Sequence, residues 1–228
     1  MMCSLWHAAL QYRWRGDDLA AAKTKLVPLS SNARCAYLSR NPQALDTAAF
    51  NNFKWGGVMK GNAAWIKSNR CASLQSCTAI HAMHLAKRFS SSLFAAQKVR
   101  MNSGFTKLYA LTFDEFIIYD SRVAAVLAFL VLLYEKKTGK WPAIKDDLRI
   151  FSGRSANRTI PGFKTKSTEL SHARANFAAN WLIQELFAKH PRIAFAWDGH
   201  ILVNERFRVF EAALFMLGYN MGTNPLLA

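Results

Sequence analysis

The chain has 228 residues, 51% of them hydrophobic, enough to bury a substantial core as one domain or as two closely apposed lobes. Thirty Lys and Arg against fourteen Asp and Glu leave a net charge of +16, which points to a polyanionic partner, nucleic acid ahead of a membrane surface or an acidic protein. No apolar run reaches the about 20 residues of a bilayer crossing, and the opening MMCSLWHAALQYRWRG has neither a basic leader nor a clean apolar core, so neither a membrane protein nor a secreted one is expected.

From residue 6 to 69 the signals are helical, with breaks expected at Gly16, Pro28, Asn41-Pro42, Gly56-Gly57 and Gly61. Strand patterning is scarce. Within this region FNNFKWGGVMKGNAAWIKSN interleaves Lys54, Lys60 and Lys67 with Phe53, Trp55 and Trp65 across glycine turns. That mixture suits contact with bases and phosphates, and equally a loop whose aromatics tuck into the core. A helix is expected over 72–89. It carries Cys77, His81 and His84 at i, i+4 and i+7, a spacing able to hold zinc but also that of ordinary polar positions on a helix. Cys3, Cys35, Cys71 and Cys77 make no paired ribbon spacing, and nothing in the C-terminal part offers an iron–sulfur cluster its ligands. No metal or cofactor is expected, and a reducing cytoplasm fits.

The stretch 103–134, SGFTKLYALTFDEFIIYDSRVAAVLAFLVLLY, is the densest in chemistry. Lys107 falls in the first turn of a short apolar helix, where a cation has the wrong sign for the helix dipole. It is either a snorkelling or phosphate-facing lysine or an amine made nucleophilic by burial and positive neighbours. Asp120 stands directly before a charge-free run over 123–134, read as a helix buried on all sides, and has the sequence context of an N-cap. As a cap alone it would need no further role.

Beyond that helix Lys136, Lys137, Lys140, Lys145, Arg149, Arg154, Arg158, Lys164 and Lys166 form the densest basic tract, with an irregular loop expected over 152–166. An amphipathic helix is expected over 171–190, ended by Pro191, and another over 204–217, stopped by Gly218. Between them Asp198-Gly199 reads as a turn with His200 as its polar neighbour.

A glycine-containing hairpin, Thr106-Lys107 opening the next helix, and Asp120-Ser121-Arg122-Val123 opening a buried one together resemble the helix-hairpin-helix DNA glycosylase superfamily, in particular bacterial 8-oxoguanine DNA glycosylase-like proteins. RFRVFEAALFMLGY near the C-terminus is similar to the closing helix of the small bacterial members. Here Ser103-Gly104-Phe105 supplies one glycine where the family hairpin has two, and Lys107 and Asp120 stand 13 residues apart, so the intervening helix is expected to be short.

The resemblance implies a mostly α, two-lobed glycosylase-like fold with a cleft between the lobes. It would be a single domain over 1–228, with a helix-hairpin-helix and catalytic core at about 93–134 and a basic loop at about 136–168. It further implies a monomeric bacterial cytoplasmic enzyme acting on double-stranded DNA that carries a modified base. Lys107 would attack C1′ of the flipped nucleotide and Asp120 would stabilise the cationic transition state. DNA contacts are expected from Gly104, Thr106, Arg122, Arg154, Arg158, Lys164 and Lys166, and a base pocket from Trp55 and Trp197. The base would be 8-oxoguanine or a hypermodified cytosine of viral DNA, in repair or in antiviral defence. The alternative is a non-catalytic helix-hairpin-helix DNA-binding protein in which Lys107 contacts only phosphate.

Overall fold

The computed structural model describes residues 5–140, 145–148, 168–190 and 205–218. Their regular structure is helical: α1 (Leu5–Leu10), α2 (Leu19–Leu38), α3 (Pro42–Gly56), α4 (Met59–Ser68), α5 (Ala72–Leu85), α6 (Ser91–Ala96), α7 (Phe105–Thr112), α8 (Ser121–Thr138), α9 (Lys145–Leu148), α10 (Glu169–Lys189) and α11 (Arg206–Leu217). The one extended pairing among the described residues is an isolated bridge between Trp14 and Asp17. The chain divides into two compact units, one drawn from Met1–Ala22 with Tyr119–Ala228, the other being Lys23–Ile118.

In the unit Lys23–Ile118, α3 shows how local chemistry sets the elements. Asn41 caps it by accepting from the Ala44 N–H, Pro42 occupies the first turn, where a missing donor is harmless, and Gly57 ends it in the left-handed region at φ 67°. Its buried stripe is Leu45, Ala48, Ala49, Asn52, Phe53 and Gly56. The expected break at Pro28 does not occur: α2 runs through it. Pro28 sits on the exposed side of the helix, where the missing N–H costs least. α5 ends four residues short of the expected 89, because Lys87 turns into the left-handed region at φ 46° and the amides of Ala86 and Lys87 close on Ala82 and His84. The breaks at Gly57 and Gly61 do occur, Gly61 kinking α4 at φ 81°.

The centre of this unit is α7, of which all eight residues are buried. Phe105 meets Phe53 and Trp65 at 5.2 and 5.1 Å between ring centres, and Tyr109 meets Phe116 at 6.0 Å. Phe53, Phe105, Tyr109 and Phe116 are fully buried. At roughly 1.5–3 kcal/mol per buried large apolar side chain, this cluster is a principal source of the unit's stability.

In the other unit α8 begins at the Asp120 cap and ends at Gly139, left-handed at φ 65°. It is buried from Val123 to Phe129, but Leu130 is 42% and Tyr134 49% exposed, so the sequence expectation of burial on all sides to 134 is corrected. The apolar run is longer than the part of the helix that other elements cover. Thr168 and Ser171 cap α10 reciprocally, each side chain accepting from the other's backbone N–H, which places the start two residues earlier than expected. α1 packs on α11 through Ala8, Ala9, Val209 and Ala213. α11 closes onto α8 at Gly218, where an added Cβ would fall 2.5 Å from the Arg122 carbonyl oxygen.

Candidate functional site

The hairpin before α7 is built on asparagine. Asn102 Oδ1 accepts from the backbone N–H groups of Gly104 at 2.8 Å and Phe105 at 3.1 Å, and the Asn102 carbonyl accepts from Thr106 N–H at 3.0 Å. Its Nδ2 donates to Asn62 Oδ1 on α4 at 2.8 Å, and Asn62 Nδ2 donates to the Val58 carbonyl at 2.8 Å. Gly104 is required here because a Cβ would overlap the Asn62 amide. Gly104 and Thr106 are both buried, and the Thr106 hydroxyl donates to the Ser103 carbonyl at 3.2 Å. Neither presents the surface that a phosphate contact would use.

Lys107 follows at once. It is 6% exposed, its Nζ donates to the Ser103 carbonyl at 3.0 Å, and its stem lies so close over Gly56 of α3 that a Cβ there would come 2.6 Å from Cε. The amine is thus held in a first helical turn, inside a helix with no exposed face, against both the dipole and the cost of burying a charge.

Asp120 belongs to the other unit. Its Oδ1 accepts from the N–H groups of Arg122 and Val123 at 2.9 and 3.1 Å, and its side chain is 12% exposed. The second oxygen lies 3.7 Å from Arg122 Nη1. The Arg122 guanidinium is turned inward, 4.5 Å from the Phe215 ring centre and 5.3 Å from that of Trp14, so it braces Asp120 where a surface phosphate contact was expected from the sequence. Beside Asp120, the Tyr119 carbonyl accepts from His172 Nε2 at 3.0 Å, which puts the ring proton on that nitrogen. Burial pushes the Tyr119 hydroxyl well above the usual phenol range.

Of the remaining candidates, Trp55 is half-buried on α3. Arg154, Arg158, Lys164, Lys166 and Trp197 lie outside the described residues, as does the 152–166 loop. His81 accepts or donates to the Tyr37 hydroxyl at 2.9 Å and stacks on Phe113 at 4.6 Å, while Cys77 and His84 are buried. Burial, then His81 and Lys87, push the His84 imidazole down to about 4, and burial, then Asp46, pushes the Cys77 thiol up. Among the described residues no group of three His, Cys, Asp or Glu is placed to hold a metal ion. Sequence reasoning missed the Asn62–Asn102 pair. Asn-Ser-Gly before a helix is a recognisable turn and cap signal for Asn102, whereas nothing near Asn62 marks its partner 40 residues away. No family model, no curated protein and no solved structure matches this chain.

Proposed function

We propose that the protein is a DNA N-glycosylase of the helix-hairpin-helix type, with lyase activity, that removes a modified base from double-stranded DNA. The observation that carries the reading is the burial of the Lys107 amine in the first turn of α7, directly after the Asn102–Gly104 hairpin. A lysine so placed costs stability, and such costs concentrate where chemistry needs them. The carboxylate that the reading calls for is assigned to Asp120, fixed at the head of α8 by two backbone donors and Arg122.

In this reading the flipped nucleotide draws Lys107 off the Ser103 carbonyl. Lys107 gives its ammonium proton to water, the free amine bonds to C1′, the glycosidic bond breaks, and the base leaves with its electron pair and takes up the second proton that the amine sheds. Asp120 stabilises the positive charge that develops on the sugar. The C1′ adduct opens to a Schiff base, and loss of a C2′ proton breaks the C3′–O bond with the phosphate as leaving group. The substrate is 8-oxoguanine or a hypermodified cytosine.

Incubation with duplexes that each carry one modified base, phage-derived DNA included, tests the reading. Borohydride should trap a covalent adduct on the right substrate in wild type and not in Lys107→Gln. An adduct of undiminished yield in that variant overturns Lys107 as nucleophile. A second reading has its own observation: the Lys107 amine already has the Ser103 carbonyl as acceptor and its stem packs on Gly56, which suits a non-catalytic helix-hairpin-helix DNA-binding protein. DNA binding without base release from any member of the panel would favour it.

A further inference from the structure

The unit Lys23–Ile118 has thirteen Lys and Arg against three carboxylates, Asp46, Asp114 and Glu115. Two of the three are already engaged: Asp114 pairs with Arg34 at 2.5 Å, and Asp46 accepts from the Cys71 N–H at 3.4 Å. None of them lies on α4 or in the hairpin that precedes α7. Those two segments run together, joined by the Asn102–Asn62 hydrogen bond and by Arg100, whose guanidinium lies 5.9 Å from the Trp65 ring centre. Lys60 stands two residues before Asn62, Lys67 two after Trp65 and Lys98 two before Arg100, and all three lysines are exposed. Of the aromatics that the sequence interleaves with lysines here, Phe53 is fully buried, and Trp65, half-buried, packs edge-on against Phe105.

We infer that Lys60, Lys67, Lys98 and Arg100, clasped into one strip by the Asn62–Asn102 pair, are a docking surface for the phosphate backbone of DNA. The inference rests on the DNA-binding part of the proposed function and assigns it to residues of the unit Lys23–Ile118, none of which belongs to the 136–166 basic tract. Clustered lysines fit a phosphate backbone. A bilayer surface would call for a continuous apolar face beside the charge, whereas on α4 Ile66 is 2% exposed and Met59, beside Lys60, is 37% exposed. Contacts to phosphate carry no sequence information, so the strip binds duplexes of any sequence.

The test measures binding of a short labelled duplex without modified bases across 50 to 200 mM salt, for the full chain and two triple variants. Lys60→Gln/Lys67→Gln/Lys98→Gln should flatten the log-affinity against log-salt slope by about one per lysine, roughly three in all. Lys23→Gln/Lys25→Gln/Arg40→Gln, which removes the same charge elsewhere in the unit, should change the slope by less than one. Equal slopes for the two variants, or a strip variant with the wild-type slope, overturn the inference while leaving the glycosylase reading intact. Absence of DNA binding by the wild-type chain ends both. Loss of binding to phosphatidylserine vesicles in the strip variant, with DNA affinity unchanged, would assign the strip to a membrane instead.

Discussion

Replacing Lys107 with methionine keeps an unbranched chain over Gly56 while deleting the buried amine. Taking an ammonium out of water is costly even when it donates to a carbonyl, as Lys107 does to Ser103, and an apolar side chain of similar volume escapes that cost. Lys107→Met should therefore melt at or above the wild-type temperature and give no borohydride adduct. A variant that melts far lower would make Lys107 a structural lysine. Asp120 separates in the same way. Asn is about as good an N-cap as Asp, so Asp120→Asn should keep its melting temperature within a few degrees while excision falls by roughly 100-fold or more. His84 gives a pH signature independent of any activity. Its folded-state value of about 4 lies below the ordinary 6.5, so the unfolded chain binds the proton more readily. Its contribution to stability is complete above about pH 6.5 and is lost as pH falls towards 4. Denaturant unfolding followed between pH 7 and 4 should show this slope, and His84→Leu should reduce it.

At the scale of elements, the sequence was most readable where one residue decides an end. Asp120 caps α8, Gly218 ends α11, and Asn41-Pro42 opens α3. It misled where the environment decides. Pro28 stays inside α2 because its side of the helix faces solvent, and the apolar run after Val123 extends past the part of α8 that is covered. Lys107 and Asp120 were visible as charges at the heads of apolar segments. The contacts that give them meaning were not, since Gly56 lies 51 residues from Lys107 and Trp14 and Phe215 flank Arg122 from opposite ends of the chain. Glycines at such contacts are measurable. Gly104→Ala drives a methyl group into the Asn62 amide and should cost about 1–3 kcal/mol in chemical denaturation, as overpacking does, although its helical φ of −75° suits alanine. A neutral effect would show that Asn62 is free to move aside.

For the molecule as a whole, charge was the most informative quantity. A net +16 predicts DNA affinity that falls by orders of magnitude between low and moderate salt if six or more phosphates are neutralised. An affinity flat over that range would remove nucleic acid as the partner. What composition hid was the division of the chain. Ala8 and Ala9 meet Val209 and Ala213 of α11, and small residues of this kind carry no mark of a distant partner.

That pairing has a consequence for the order of folding during synthesis. Lys23–Ile118 is contiguous, so its contacts can form as soon as the segment leaves the ribosome. α1 has no such option. The Arg13 N–H meets the Met216 sulfur across 203 residues, and the face of α1 waits for almost the entire chain to be translated. A nascent chain stalled before α11 should thus have a protease-resistant middle and a cleavable N-terminal segment. Releasing α11 should protect α1.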